Sequence, residues 1–526
     1  MKPRELKAWL VAPLALAALL APAGPAPAET VLKMVPHADL RILDPVWTTG
    51  YITRNHGYLV YDTLFALDSK LEPKPQMVES WTVSPDQKVW SFTLRPGLKF
   101  HDGSPVRPQD CIASIARWGK RDPAGQKLME YVAEMAPEGE RGFVLRLKEP
   151  FAYVLDAFAK ISSNVLFIMR EKEASTDAFQ QVTDVVGSGP FEFVKEEWVP
   201  GVKAVYRKFA GYVPREEPAD MAAGGKKANV DRVEWIYLPD GNTAASALQK
   251  GEVDWVEAPL GDLVPVLEKS AGVKVTTLDP LGSDGILRFN FLHPPFDNMK
   301  ARQAVLYTVS QPDYMTAVMG SEKYWKPCSS FFPCGTPYEA DAGGLLIKKD
   351  LAKARALWKE AGYTGTVVVL DPTDSPYAHQ QALVTAENLK QLGAQVELKA
   401  MDWSTMLSAR TKKEPPAQGG WNIFHTWTVV PDLMTPLLNN NIRASGDKAW
   451  FGWPTDEKIE AFRDEWLRAT SPEAQKAAAA KLAARAFEFL PYIPDGQFTT
   501  PTAYRANVTG LIASPVPFFW NVAKGS

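Results

Sequence analysis

Four stretches of the chain share one pattern, in which an amphipathic helix is followed by a glycine and then by a short strand rich in valine. They are Asn242–Ala258, Asp262–Leu278, Asp350–Leu370 and Pro376–Met401. In the first stretch we expect Asn242 or Thr243 to cap a helix that ends at Gly251, and Gly272 to act in the same way in the second. Helices that alternate with short apolar strands are typical of parallel α/β sheets. Because the first two stretches are well separated from the last two, the pattern predicts two α/β lobes.

The region from Leu71 to about Lys195 has a different pattern. Residues Val89–Phe100 alternate between apolar and polar, and Gly142–Pro150 do so more briefly. Such alternation is typical of antiparallel strands that bury one face. We therefore expect an accessory subdomain over residues 71–195, inserted into the first lobe.

The first residues indicate export from the cytoplasm. Met1–Lys7 is basic, Ala8–Gly24 is apolar but short, and Ala26–Ala28 is a small-residue cleavage signal. We expect residues 1–28 to be a signal peptide that is cleaved near Ala28, which places the mature protein outside the cytoplasm. No later apolar run is long enough to span a bilayer, so we expect no direct membrane insertion.

The overall composition narrows the range of partners. The formal net charge of −3 gives no reason to expect binding to nucleic acid, and no polybasic cluster favours anionic lipid. The chain has 17 tryptophans, and large aromatic side chains occur both in cores and on the walls of ligand clefts.

The three cysteines fall into two classes. Cys328 and Cys334 flank a short loop, and in an oxidising compartment we expect them to form a disulfide. Cys111 lies on the apolar face of a predicted helix, so we expect a free thiol in the core rather than a reactive one.

His101 and Asp102 stand side by side and raise the question of a catalytic or metal site. Asp102-Gly103 is a turn dipeptide, and Pro108 and Asp110 suit the first turn of the helix that follows. No nucleophile or third ligand is spaced to complete a site, so a structural strand-turn-helix junction is favoured. The chain also has no HExxH, CxxC or phosphate-binding loop. We therefore expect no catalytic residue, no metal and no cofactor.

Five motifs follow one another in order along the mature chain. The first, Trp81–Asp110, has the signature residues Trp81, Asp86, Trp90, Leu94, Arg95, Gly97, Phe100, His101, Asp102, Gly103, Pro105 and Asp110. The others are Gly187–Phe193, Pro239–Asp254, Phe289–Val309 and, counted together as the fifth, the two later stretches Lys353–Tyr363 and Gln391–Leu398. In this order they resemble family 5 of the extracellular solute-binding proteins, the dipeptide, oligopeptide and nickel receptors of ABC importers.

This resemblance implies a two-lobed periplasmic binding protein (Venus-flytrap) fold with mixed α/β sheets in each lobe. Lobe I would comprise residues 29–283 and 497–526, and lobe II residues 284–496. We expect two crossing segments, near Leu281–Gly285 and Tyr492–Gln497. The partners implied are a small-molecule ligand and the permease subunits of an ABC importer, and we expect a monomer.

Three stretches mix aromatic and polar residues without strand alternation, as the walls of a ligand cleft do. Two of these stretches, Asp44–Asn55 near the mature N-terminus and Phe424–Asn441 around Trp427, match segments that line the cleft in relatives. From Asp44–Asn55, Met401–Met406 and Phe424–Asn441 we expect the ligand contacts Trp47, Tyr51, Arg54, Trp403, His425, Trp427 and Asp432, and we add Arg443, just beyond the last stretch. Arg54, Arg443 and Asn439–Asn441 are candidates to receive a carboxylate or an amide.

One position departs from the family pattern. Peptide-binding relatives have an acidic residue three positions after the tryptophan that matches Trp427, and this acid pairs with the ligand's α-amino group. In this chain that position is Val430. An ammonium buried without a counter-charge is disfavoured by several kcal/mol. An unmodified peptide is therefore a weaker candidate unless Asp432 takes the place of the missing acid.

The sequence thus favours a periplasmic receptor that captures a small solute between its lobes and delivers it to a permease. Two alternatives stay open, namely a secreted hydrolase on the same scaffold and a sensory or chaperone binding protein. The ligand also stays open, between a peptide, a peptide-like molecule, a sugar and an aromatic acid.

Overall fold

The structure is a computed structural model that describes residues 29–525, so the predicted signal peptide, residues 1–28, lies outside the described residues. Its strands are β1 (Val31–Val35), β2 (Phe65–Leu67), β3 (Pro73–Pro75), β4 (Val78–Val83), β5 (Val89–Leu94), β6 (Val132–Glu138), β7 (Gly142–Leu147), β8 (Phe191–Phe193), β9 (Lys203–Lys208), β10 (Arg232–Ile236), β11 (Trp255–Val256), β12 (Val273–Thr277), β13 (Ser283–Phe289), β14 (Trp325–Lys326), β15 (Thr366–Pro372), β16 (Gln395–Met401), β17 (Ile423–Val429), β18 (Ile493–Phe498), β19 (Pro501–Arg505), β20 (Val508–Thr509) and β21 (Ala523–Lys524). Its α-helices are α1 (Tyr51–Val60), α2 (Pro108–Trp118), α3 (Pro123–Tyr131), α4 (Val154–Ala159), α5 (Glu171–Ala174), α6 (Gly241–Lys250), α7 (Val264–Glu268), α8 (Met299–Leu306), α9 (Gln311–Met319), α10 (Leu351–Ala361), α11 (Ala378–Gln391), α12 (Trp403–Ala409), α13 (Glu457–Arg468) and α14 (Pro472–Phe489).

The sheet of the first lobe contains seven strands in the order β12-β19-β11-β1-β10-β9-β8. β1 lies parallel to both of its neighbours, with Val31 opposite Arg232 and Met34 opposite Trp255. The C-terminal strand β19 lies between β11 and β12 and runs antiparallel to both. The first two helix–strand stretches therefore do not form the parallel pair that their pattern predicts, because a strand from the far end of the chain separates them.

The sheet of the second lobe contains six strands in the order β14-β18-β13-β17-β15-β16. β15 and β16 are parallel, with Val367 opposite Val396, as their helix–strand pattern predicts. β13 runs antiparallel to both β17 and β18. The expectation of mixed α/β sheets in both lobes is confirmed.

The helix ends follow simple capping rules. Helix α6 is capped by Asp240, whose side chain accepts a hydrogen bond from the amide of Thr243, so the prediction of Asn242 or Thr243 as the cap is wrong by two or three positions. Gly251 ends this helix with φ of 75°, in the left-handed region that favours glycine. Gly272 also has a positive φ, but helix α7 has already ended at Glu268.

The accessory region contains a four-stranded antiparallel sheet, in the order β4-β5-β7-β6, as the alternating pattern predicts. His101 and Asp102 occupy a turn between this sheet and helix α2. His101 Nε2 lies 3.1 Å from the carbonyl oxygen of Gly189, and Asp102 accepts a hydrogen bond from the amide of Ser104. Burial lowers the pKa of His101. Both side chains thus bond to backbone groups at this junction, and a structural role for the pair stays the favoured interpretation.

Two short segments connect the sheets of the two lobes. Residues 278–282 join β12 to β13, and residues 499–500 join β18 to β19. The predicted crossing at Leu281–Gly285 overlaps the first segment, but Tyr492–Gln497 does not reach the second, because β18 continues to Phe498. The exact lobe boundaries stay a prediction.

The cysteine predictions are confirmed. Cys328 and Cys334 form a disulfide with their Cα atoms 5.7 Å apart. Cys111 is a free, fully buried thiol in helix α2, and burial raises its pKa.

The second sheet buries a carboxyl group that has no cationic partner. Asp284 on β13 is 2% exposed, and its Oδ1 has no hydrogen-bond partner among residues 29–525. Burial, together with the nearby carboxyl of Asp495, raises the pKa of Asp284 well above its usual value. The folded protein therefore disfavours the charged form of this group, so its ionisation as the pH rises costs stability.

Replacement of Asp284 by asparagine should stabilise the protein. A raised pKa in the folded state means that stability is lost as the pH rises above the pKa of the unfolded chain, about 3.9. We expect Asp284→Asn to gain at least about 1 kcal/mol at pH 7.5 and almost nothing near pH 3.5. Urea denaturation across this pH range measures the difference. The exposed Asp262→Asn is the control, and an equal gain in both variants would contradict the explanation.

Candidate ligand-binding site

A cluster of aromatic rings surrounds Trp427 in the gap between the lobes. The rings of Trp427 and Trp403 are stacked, with centroids 5.0 Å apart and planes 27° apart. Tyr377 contacts Trp427 edge-on at 5.0 Å, and Tyr51 and His37 do so at 6.0 Å. Tyr51 and His37 come from lobe I, whereas the other three come from lobe II, so closure of the lobes completes the cluster.

Two cavities share Tyr51 and Trp427 as walls. The other walls of the first include Thr49, Lys160, Trp403, Arg410, Asp432 and Trp450. The other walls of the second include His37, Arg54, Glu257, Asp279, Thr500 and Ser514. The mixture of aromatic surface with a few charged groups matches that of small-molecule sites.

Arg410 is a buried cation on the wall of the first cavity. It is 2% exposed, and its only hydrogen bond to residues 29–525 runs from Nη2 to Thr49 Oγ1, at 2.8 Å. Its Nε has no partner. Burial lowers the pKa of Arg410 to about 9, so the guanidinium remains charged at neutral pH.

Asp432 places a carboxyl group on the same cavity. It ends the single turn Val430–Asp432, is 5% exposed, and its Oδ1 has no partner in the described part of the chain. Burial raises the pKa of Asp432 to about 6, against the opposing charges of Lys160 and Arg54. Val430 is buried, and its amide donates to the carbonyl of Gly282. Asp432 thus brings a carboxyl group to the cavity two residues after Val430, which is the position of the acid in the family pattern.

The other cations near the cavities already have acceptors. Lys160 donates to Asp122 at 2.5 Å and to the carbonyl of Ser163 at 2.6 Å. Arg54 donates to Ser162, Asn55 and the carbonyl of Pro515, and its guanidinium lies 4.1 Å from the centroid of the Tyr51 ring. The charge of Lys160 is therefore paired with a carboxylate, and the guanidinium of Arg54 is hydrogen-bonded to neutral groups of the protein.

The structure brings five of the eight predicted residues to the cavities. Tyr51, Trp403, Trp427 and Asp432 line the first cavity, and Arg54 lines the second. The other three are Trp47, His425 and Arg443, and they line neither of the two cavities.

Each of these three has its contacts elsewhere. The amide of Trp47 donates to Asp44 and its carbonyl accepts from Arg121. His425 is fully buried inside lobe II, where its Nε2 lies 2.8 Å from Thr385 Oγ1. Arg443 donates across the gap to Gln126 of lobe I. The aromatic and polar composition that suggested these residues is also that of ordinary core and interlobe positions.

Sequence reasoning missed Arg410, although a signal was present. Trp403, Leu407 and Arg410 are spaced i, i+4 and i+7, so they fall on one face at helix α12, and all three line the first cavity. Trp450 and Lys160 were also missed, and they lie in loops whose approach to the cavity depends on long-range packing. Of the asparagines 439–441, Asn440 and Asn441 line the cavity, whereas Asn439 bonds to the carbonyl of Phe331.

A second group of contacts joins the accessory region to lobe II. Tyr153 stacks on Trp466, with centroids 5.1 Å apart, and its hydroxyl accepts a hydrogen bond from Gln475. Lys127 forms an ion pair with Asp464 at 2.7 Å. These contacts exist only while the lobes are together, so they stabilise the closed form.

Comparison with known proteins decides the family. A family model described as bacterial extracellular solute-binding proteins, family 5 middle, matches residues 72–444. A probable peptide ABC transporter periplasmic-binding protein, y4tO of Sinorhizobium fredii, is 39% identical over 491 residues, which cover 92% of each chain. The chain belongs to family 5 of the bacterial extracellular solute-binding proteins.

Solved structures show the same fold for this family 5 protein. AgaA of A. tumefaciens R10, solved with agropinic acid, superposes with a TM-score of 0.80 at 22% identity, covering 94% of this chain and 99% of AgaA. The dipeptide-binding protein of Pseudoalteromonas sp. SM9913, solved with Met-Leu, gives a TM-score of 0.77 at 18% identity, covering 94% of this chain and all of the other. The two-lobed fold expected from the sequence is confirmed.

None of the helices in residues 29–525 has both the length and the hydrophobicity that crossing a membrane requires. The same residues include no group of three or more histidines, cysteines and acids placed to hold a metal ion.

Loss of the Tyr153 contacts should weaken closure. We expect Tyr153→Ala to destabilise the closed form by about 1–2 kcal/mol, because it removes a ring stack and a hydrogen bond between the lobes. Small-angle X-ray scattering with a tryptic casein digest as a mixed source of ligands should then give a larger radius of gyration for the variant. Tyr363→Ala removes a ring whose contacts lie within lobe II and is the control. Superimposable scattering curves for Tyr153→Ala and the wild type would contradict this role.

Proposed function

We propose that the protein is the periplasmic receptor of an ABC importer, which encloses an amine-bearing, peptide-like solute between its lobes and delivers it to the membrane permease. The observation that carries this proposal is the first cavity, in which the stacked rings of Trp403 and Trp427 stand beside the unpartnered carboxyl oxygen of Asp432. The rings provide flat apolar contact, and the carboxylate provides a counter-charge for an ammonium group.

Export and family membership support the cellular setting. The family consists of extracellular proteins, and a relative that is 39% identical is named as a periplasmic binding protein of a peptide ABC transporter. Cleavage of the signal peptide near Ala28 and a monomeric state are parts of the same proposal. The permease and its ATPase supply the work of transport, because this chain carries no phosphate-binding motif.

Closure provides the mechanism of capture. The ligand contacts walls from both lobes, so it binds more tightly to the closed form than to the open form and shifts the population towards closure. Tyr51 illustrates this, because its hydroxyl accepts a hydrogen bond from the amide of Val429 across the gap at 2.9 Å. Binding without catalysis is further supported by the residues that line the first cavity, which include no histidine or cysteine.

A retention experiment tests the function. The protein is stripped of bound solutes by mild denaturation, refolded, and equilibrated with a casein digest mixed with free amino acids and sugars. We expect native mass spectrometry to detect a retained solute with a primary amine, and small-angle scattering to show compaction. A solute that binds without compaction, or that is converted to a product, would contradict the proposal.

The pH dependence of retention tests the role of Asp432. Its pKa of about 6 means that the carboxyl is mostly neutral at pH 5 and mostly charged at pH 7.5, so the binding of amines should strengthen as the pH rises. Asp432→Asn should lower retention at pH 7.5 by about tenfold or more and flatten the profile. The exposed Asp447→Asn should keep the profile of the wild type. An unchanged profile in Asp432→Asn would exclude this residue as the amine anchor.

A further inference from the structure

We propose that Asp374 is a positioning residue of the ligand-binding site, which fixes the place of Trp403 in the cavity wall and is itself fixed by Tyr237 of lobe I when the lobes close. Closure and the final placement of this aromatic wall are then a single event. The inference rests on the proposed function, since it concerns the wall on which the peptide-like solute lies.

Asp374 uses its two carboxylate oxygens in opposite directions. It lies in the loop after β15 of lobe II, and its Oδ1 accepts a hydrogen bond from the amide of Trp403 at 2.6 Å. Its Oδ2 accepts from the hydroxyl of Tyr237, directly after β10 of lobe I, at 2.8 Å. Because a carboxylate can accept at both oxygens at once, this one side chain joins the end of a lobe I strand to the start of α12.

The bond to Trp403 answers a need of helix α12. The first amides of a helix have no acceptor within the helix, and Trp403 is the first residue of α12. Asp374 supplies the acceptor for this amide, while Asp402 supplies one for the amide of Thr405. The amide of Thr373 donates to the carbonyl of Met401 at 2.9 Å, which keeps the loop of Asp374 beside this turn within lobe II.

Trp403 is the residue whose place matters to a ligand. Its side chain is 4% exposed, lines the first cavity and stacks on Trp427. The indole is attached to the first residue of α12, so a displacement of this turn would carry the ring away from Trp427. An acceptor that holds the turn therefore also holds the ring.

Lobe I contacts the same turn at two further points, but both are weaker. Arg41 Nη1 lies 3.3 Å from Asp402 Oδ1 in a pair whose side chains are 45% and 36% exposed, and such pairs contribute little. Ser404 Oγ donates to the carbonyl of Asp39 at 3.3 Å. The bond from Tyr237 is shorter and has a charged acceptor, so it is the strongest of the three.

The hydroxyl of Tyr237 is suited to donate to a carboxylate. Burial, together with the hydrogen bond to Asp374, raises the pKa of Tyr237, so the hydroxyl keeps its proton near neutral pH. When the lobes separate, Oδ2 of Asp374 turns to water instead. The bond to Trp403 lies within lobe II and persists in both forms, whereas the bond from Tyr237 forms on closure alone.

A double-mutant cycle tests the coupling. The stripped protein and the variants Tyr237→Phe, Asp374→Ala and the double variant are equilibrated with a tryptic casein digest, and native mass spectrometry quantifies the retained solutes. We expect Tyr237→Phe to lower retention by about threefold to tenfold and Asp374→Ala by about tenfold to 30-fold, since they remove one and two hydrogen bonds. The double variant should retain as much as Asp374→Ala, because the hydroxyl acts through this carboxylate.

Hydrogen exchange distinguishes positioning from a general loss of stability. Exchange in residues 402–406, followed by mass spectrometry, should be faster in Asp374→Ala both with and without the digest, because the amide of Trp403 loses its acceptor. In Tyr237→Phe it should be faster only with saturating digest, when the lobes are closed. A purely structural loss would accelerate exchange equally in both states.

Tyr212→Phe is the matched control. The hydroxyl of Tyr212 also donates to an aspartate, Asp62, at 2.9 Å, but both residues belong to lobe I. This variant should keep the retention of the wild type and its exchange in residues 402–406. Thermal melts check that each variant is folded, and Asp374→Asn, which keeps the size of the side chain, replaces Asp374→Ala if the latter does not fold.

The outcomes separate this inference from the proposed function. Additive losses in the double variant, unchanged exchange in the Asp374 variant, or equal acceleration with and without digest in Tyr237→Phe would overturn the positioning role and leave the receptor function standing. A wild type that retains nothing from the digest would overturn the proposed peptide-like ligand, and the role of Asp374 towards it as well.

Discussion

Closure of two lobes over a polar cavity takes charged side chains out of water, and each buried charge then needs a partner. The protein supplies partners for most of them, since Lys160 pairs with Asp122, Glu257 pairs with His37, and Arg54 donates to several neutral acceptors. Arg410 has aromatic faces around it but no carboxylate within ion-pair distance among residues 29–525. Arg54 and Arg410 are thus both buried without a carboxylate partner among residues 29–525, and Arg410 is the less compensated of the two because it forms only one hydrogen bond to these residues.

The hinge depends on how closely the two crossing segments lie. A Cβ atom on Gly282 would come within 2.2 Å of the carbonyl oxygen of Phe498, so only glycine allows the first crossing to pack against the end of β18. Gly282 also has a φ of 77°, which favours glycine for a second reason. The other crossing is only residues 499–500 and follows Phe498 directly, so both connections lie close to this contact.

Local patterns predicted much of the fold, and long-range pairing accounts for most of what they missed. The helix–glycine–strand pattern located α6, α10 and α11, because caps and periodicity are encoded within a few residues. It did not reveal that β19 separates β11 from β12, since that pairing joins segments more than 200 residues apart. The same limit applies to the site. Composition found Trp403, Trp427 and Asp432, but it also selected His425, which the fold places in the core of lobe II.

The arrangement of charges also explains how a family that shares one fold can differ in what it binds. In the family pattern the acidic anchor stands three residues after the tryptophan, whereas this chain has the buried Val430 there and presents Asp432 from the end of the same turn. An anchor two residues further along shifts the position of a bound ammonium relative to the stacked rings of Trp403 and Trp427. Under the proposed function the amine of the ligand must reach Asp432, and an analogue that lacks the amine leaves this buried carboxylate unpaired. Such a loss discriminates more strongly than a change in apolar contact, because an unmatched charge costs several kcal/mol. Selectivity of the proposed site therefore comes mainly from Asp432, with the aromatic walls adding apolar contact.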